Sequence, residues 1–108
     1  MNIYKGMRAS NGSAAVTVNG KPLRLRLDLF NHSPTGFEWG YSGSGPAQLA
    51  LAICANELNH DALAVRIHQH FKARVIASIT ANEWTMTGEE VRAICTTLAF
   101  RPGGSQLD

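Results

Sequence analysis

The stretch G-F-E-W-G-Y-S-G-S-G-P-A-Q-L-A-L-A-I, Gly36 to Ile53, divides the chain into two halves of different character. Its first part is a turn rich in glycine and serine. Its second part opens a helix at Pro46, since proline suits the first helical position, where the missing N–H costs nothing. From Gln48 to Leu58 the residues are apolar almost all round, which predicts a buried, central helix. Upstream the pattern has a strand period, and downstream a helical one. The chain is therefore expected to be an α+β domain, with an N-terminal antiparallel hairpin or three-stranded sheet packed on a C-terminal three-helix unit.

Upstream, Met1 to Lys5 can start a strand. Ala14–Val18 and Lys21–Leu29 flank Asn19-Gly20, a favoured pair for a two-residue hairpin turn. Pairing across that turn sets Val16 opposite Leu23 and Ala14 opposite Leu25, with Ala15 facing Arg24 and Thr17 facing Pro22. Leu23, Leu25, Leu27 and Leu29 alternate with Arg24, Arg26 and Asp28, as expected of a strand with one buried face. Pro22 favours an edge position or a strand's first residue.

Downstream, Asn59-His60-Asp61 breaks the chain. Leu63, Ile67, Phe71, Val75 and Ile79 then recur at four-residue steps, with Arg66, Gln69, Lys72 and Arg74 exposed. Thr80 to Trp84 reads as a turn. Thr87 and Glu90 form a capping box for a last helix that buries Val91, Ile94, Cys95 and Leu98. Residues 1–100 are expected to be a single domain, and 101–108 a flexible tail.

With 108 residues, 44% apolar and 17% charged, this is a one-domain globular composition. A net charge of +2 with scattered Lys and Arg does not favour a nucleic-acid binder, although a weak one stays possible. The uncharged run from Trp39 to Asn56 is too polar at its start for a bilayer span, and Met1–Arg8 has no secretory core. No membrane partner is expected, and a cytoplasmic location is. Cys54 and Cys95 read as reduced core residues. No metal is expected, because His68 and His70 point to different sides of one helix and could not share an ion with His60. No other cofactor is implied.

Asn31–Gly45 is a fifteen-residue connection, long enough to suggest function. At its end Gly43, Ser44, Gly45 and Ala47 could bind an anion such as a phosphate or nucleotide at a helix N-terminus. The simpler reading is that Ser44 or Gly45 caps the helix. A phosphate loop fails because Pro46 and Ala47 replace its lysine and hydroxyl. The dinucleotide fingerprint fails at Gln48, and the nucleophile elbow fails at Ser44. His32, a nearby serine and Glu38 could in principle form a hydrolytic set, but such sets arise by chance in serine-rich loops. No catalytic residues are assigned. Phe37, Trp39 and Tyr41 either cover the core or offer an aromatic contact surface, together with His32. Arg24 and Arg26 on the wet strand face could join a basic patch with Lys5 or Lys21.

Asn31 to Ile53, N-H-S-P-T-G-F-E-W-G-Y-S-G-S-G-P-A-Q-L-A-L-A-I, resembles the core of an uncharacterised family of small bacterial and phage proteins, a domain of unknown function. Ile3-Tyr4-Lys5-Gly6, Val16–Gly20 with Pro22-Leu23, Phe71-Lys72 and Trp84–Thr87 extend the resemblance. His68 departs from it, standing where the family's Y-x-x-F-K pattern has tyrosine. The resemblance supplies no mechanism. It implies an accessory gene of bacteria and mobile elements, whose products often bind and block a larger machine. The expected function is thus a small non-enzymatic binding protein with a protein partner, such as a phage-type inhibitor of a host defence complex like a CRISPR effector. A phosphate-ligand module at the glycine turn is the alternative. The oligomeric state is left open.

Overall fold

The computed structural model describes residues 1–100. The expected tail, 101–108, lies outside the described residues. Strand β1 (Ile3–Arg8) pairs antiparallel with β2 (Ala14–Val18), and Asn19-Gly20 then turns the chain into β3 (Lys21–Pro22). Asn19 and Gly20 take φ of 53° and 82°, the left-handed pair that a two-residue hairpin turn requires. Thr17 faces Pro22, as the turn dictates.

The third strand is much shorter than its leucine alternation predicts. Leu23 still donates its N–H to the Val16 carbonyl at 3.0 Å, but Ala14 and Leu25 do not pair. Two forces draw the chain off the sheet. The Leu25 carbonyl is captured by the Gln48 side chain, and Arg26 enters the left-handed region with φ of 58°. That conformation is uncommon outside glycine, and ion pairs to Asp28 and Asp61 hold it here.

The helices come in the expected order, but the second is shorter than its four-residue repeat implies: it ends at Arg74, leaving Val75 and Ile79 beyond it. Helix α1 (Ser44–Leu58) is buried without a break from Gly45 to Ala55. Gly43 is its N-cap, without a side-chain cap bond, so neither Ser44 nor Gly45 fills that role. Pro46 is the third helical residue, still inside the first turn, where backbone N–H groups have no helical partner to lose. Asn59, at φ 51°, ends α1, and the His60 ring caps α2 (Asp61–Arg74) by accepting from the Leu63 N–H. A 3-10 turn, Ile76–Ser78, follows.

Glu83–Thr87, partly assigned from sequence to a turn, is strand β4 instead. It pairs antiparallel with β1, Gly6 opposite Trp84 and Tyr4 opposite Met86, giving the sheet order β3-β2-β1-β4. Thr87 and Glu90 then close the expected capping box of α3 (Gly88–Ala99), with bonds of 3.1 and 2.8 Å. That helix buries Val91, Cys95 and Leu98, while Ile94 is half-buried. The α+β class holds, with four strands.

One apolar cluster joins Tyr4 and Val16 of the sheet to Leu49, Leu51 and Ile53 of α1, Ile67 and Phe71 of α2, and Val91 of α3. Cys54 and Cys95 meet in it as free thiols, Sγ to Sγ 3.7 Å, and burial pushes the Cys54 thiol up from its ordinary range. Phe37 and Trp39 also belong to this core. The Trp39 indole donates to the Ala81 carbonyl at 2.9 Å and meets Trp84 edge-on at 5.6 Å. The Arg8 guanidinium lies 4.4 Å over the same ring and pairs with Glu38.

Sheet and helices are also tied by a buried carboxylate. Glu57, whose side chain is 2% exposed, accepts from the Tyr4 hydroxyl at 2.8 Å and from Asn2 at 3.0 Å. Its other oxygen pairs with Arg92 of α3. A carboxylate brought out of water needs donors, and three side chains, those of Asn2, Tyr4 and Arg92, supply them here. Tyr4 also accepts from Asn56 at 3.0 Å, and burial raises its hydroxyl pKa above the ordinary tyrosine range. Gly88 leaves room for this carboxylate: a Cβ there would stand 2.5 Å from a Glu57 oxygen.

Candidate functional site

Leaving β3, the chain crosses the helices as an irregular strap from Leu23 to Ser33. It is anchored by a single residue of α1. The Gln48 side chain is wholly buried. Its amide donates to the Leu25 carbonyl at 2.6 Å and to the Phe30 carbonyl at 3.1 Å. Its oxygen accepts from the backbone N–H groups of His32 at 2.7 Å and Ser33 at 2.9 Å. Two donors and two acceptor sites are what a primary amide has, so its full capacity goes to strap backbone.

Arg26 fastens the outside of the strap. Its guanidinium, held above even its usual high pKa by hydrogen bonds to Asp28 and Asp61, links the bend to the first turn of α2. The Asp28 carboxyl is correspondingly lowered by Arg26. The Leu29 and Phe30 N–H groups both bond to the Arg26 carbonyl, at 3.0 and 3.4 Å. Fixed in this way, the strap buries Leu23, half-buries Leu25 and Leu29, and turns Leu27 and Phe30 outward. Phe30 is 50% exposed although large and apolar. Its ring stacks on His32, centroids 4.2 Å apart.

His32 in turn meets His68 of α2, Nε2 to Nε2 2.9 Å. His68 Nδ1 lies 2.6 Å from the Val65 carbonyl, which makes Nδ1 its N–H and Nε2 its acceptor. Burial pulls both imidazoles below the ordinary histidine range, so the pair is neutral at pH 7.

The residues singled out by sequence separate into distinct environments. Arg24 is exposed and lines a cleft of about 350 Å³ with Lys21, Asn2, Asn19 and Asn56. Arg26 is engaged in its ion pairs and so does not extend a basic patch. Phe37 and Trp39 are core residues and offer no aromatic surface, whereas Tyr41 is 51% exposed. His32 is half-buried in its pair with His68. At the glycine turn Ser44 is exposed, while Gly45 and Ala47 are buried. The close approach that glycine allows at position 45 is taken by Glu38, whose Cβ would lie 2.8 Å from an added Cβ. Gly43 is covered by the Tyr41 ring.

Sequence reasoning missed Leu27, Phe30, Gln48 and His68 as parts of one structure. Gln48 did carry a signal, being a primary amide at the start of an otherwise apolar helix. Buried amides are bonded, and a helix leaves such a group only non-helical backbone to serve.

Together these features define a small α+β domain in which an irregular strap is held by buried polar contacts. The chain belongs to the family of unknown function DUF6166, whose family model matches residues 4–97. No curated protein and no solved structure matches it. Among the described residues, no helix is long and apolar enough to cross a membrane.

Proposed function

We propose that the protein is a non-enzymatic binding module that occupies a surface of a larger protein partner through the strap from Leu23 to Ser33. The observation that carries this reading is the contrast between how firmly the strap is held and what it displays. A buried amide with four backbone bonds and a two-sided arginine fix its path, yet Leu27 and Phe30 remain outside. Ordering a loop before it meets its partner removes entropy that binding otherwise has to overcome. Aromatic side chains on such loops dominate binding energy when a partner covers them. Arg24, exposed beside the strap's start, adds a positive charge for orientation. The partner class implied by the family resemblance is a large host defence complex of the cytoplasm, such as a CRISPR effector.

The test is affinity capture of the tagged full chain from a bacterial lysate, with and without nuclease, followed by mass spectrometry. The wild type is expected to retain a stoichiometric protein that survives nuclease. Leu27→Asp with Phe30→Asp should lose it while the melting temperature stays within a few degrees, because neither side chain belongs to the buried core. Undiminished capture by the double variant, or capture that disappears with nuclease, would rule the strap out as a protein contact.

A further inference from the structure

The sheet has two outer edges, and they are built differently. At one, β3 has only two residues, Lys21 and Pro22, both of types that keep an edge from pairing. At the other, β4 runs for five residues, E-W-T-M-T, without proline, glycine or lysine. The ladder fixes which of its backbone groups face outward. The Arg8 N–H donates to the Asn82 carbonyl at 2.9 Å, and the Gly88 N–H to the Asn2 carbonyl at 2.8 Å. Trp84 and Met86, in phase with Asn82 and Gly88, therefore turn their backbone groups toward β1. Glu83 and Thr85 point theirs away from the sheet, and among the described residues none of these two N–H and two C=O groups has a partner.

The free stretch is bounded at both ends. The Ala81 carbonyl is taken by the Trp39 indole, and the Thr87 N–H by the Glu90 carboxylate. Between them the edge is open: Glu83 and Thr85 are exposed, and the Trp84 indole leans over Gly6 of β1, away from the edge. We propose that β4 is the contact through which two copies of this chain pair, antiparallel, about a two-fold axis at Trp84. In that register Glu83 of one copy faces Thr85 of the other. Such a pair exchanges two N–H···O=C bonds, and the axis makes it twice, so every free group on both edges is used. Centring the axis on Thr85 would instead call on the Thr87 N–H, which Glu90 already holds. The side chains agree with the backbone, because a carboxylate then faces a hydroxyl and no like charges stand opposite each other.

So short a pairing buries little surface, and the dimer is expected to be reversible, half-formed at about 10–500 µM. It leaves the strap free, because the strap departs from β3, at the opposite edge of the sheet. The joined sheet carries a β3 at each outer end, so one dimer presents two straps. Two linked copies hold a partner that repeats its binding surface more tightly than one copy does. The pairing itself does not depend on what the strap binds.

The experiment is sedimentation velocity of the full chain across that concentration range, with amide exchange measured at its two ends. A monomer–dimer equilibrium is expected, and the Glu83 and Thr85 amides should exchange more slowly as the dimer forms. Thr85→Pro removes an N–H that has no partner in the monomer, so it should abolish the dimer while amide spectra show the fold intact. Thr85→Glu sets like charges opposite each other across the axis, yet within one copy it places a carboxylate opposite Lys5. It should therefore weaken the dimer about three- to tenfold without lowering the melting temperature. Adding Glu83→Lys to Thr85→Glu makes the facing charges opposite and should restore the dimer. The proposal is overturned by a chain that stays monomeric throughout, by a dimer undiminished in Thr85→Pro and Thr85→Glu, or by a dimer lost only with Leu27→Asp and Phe30→Asp.

Discussion

Replacing Gln48 by leucine is expected to destabilise the protein by about 4 kcal/mol and to release the strap from the helices, although it makes a helix that is otherwise apolar more uniformly so. Sequence pattern alone would judge the change favourable. The amide, however, is the partner of four backbone groups, two carbonyls and two N–H groups. A group left unpaired near the core costs on the order of 1–3 kcal/mol, and the strap can recover part of that by moving into water. The loss should therefore appear both as a lower urea midpoint and as faster amide exchange at His32 and Ser33. Gln48→Glu separates shape from bonding. An ionised carboxylate still accepts from His32 and Ser33 but sets oxygen against the Leu25 and Phe30 carbonyls. Burial would raise that carboxyl's pKa, so the variant should gain stability relative to wild type as pH falls through the shifted value. A Gln48→Leu protein with an unchanged midpoint, or a Gln48→Glu protein with no such pH trend, would show that the amide is not the anchor.

How far the sequence discloses this structure depends on the range of the forces involved. Asn19-Gly20 and the capping box at Thr87 act over two to four residues, and both form as their residue types require. The central helix is legible because eleven consecutive positions, Gly45 to Ala55, are buried and the composition shows it. The strap is not legible, because Leu23 to Leu29 satisfy a strand period while the Leu25 carbonyl bonds to Gln48 of α1 and the Arg26 side chain pairs with Asp61 of α2. Leucine alternation states which side chains could be buried together. It cannot state that Gln48 competes with a sheet ladder for the Leu25 carbonyl. His32 and His68 are separated by 36 positions and share no local pattern, so only the packing of the strap on α2 brings them together. Trp39 and Phe37 illustrate the same limit in the other direction. Their spacing allowed a surface role, and the core took both.

Gly6→Ala is the second change expected to have a large effect, and two physical arguments give it opposite signs. Glycine inside a strand is costly to order, so alanine there should stabilise by about 0.5–1 kcal/mol if the site has room. The site has none. An added Cβ would stand 2.2 Å from the indole of Trp84, the residue opposite Gly6 in the β1–β4 register. That ring has little freedom to yield. It meets the buried Trp39 edge-on, and its own N–H is buried without a hydrogen-bond partner, as happens when packing against backbone decides a ring's position. Overpacking of this kind costs about 1–3 kcal/mol, and the upper part of that range is expected because the clash falls on a ring wedged between strand and core. Gly6 and Trp84 thus act as one unit, which also accounts for the pairing of two sequence fragments that are separately uninformative. Trp84→Leu alone should destabilise through lost packing. In its presence, however, Gly6→Ala should become neutral or slightly stabilising, giving a coupling of about 2–3 kcal/mol between the sites in urea denaturation. Additive effects of the two changes would mean that glycine is required at position 6 for some reason other than the indole lying against it.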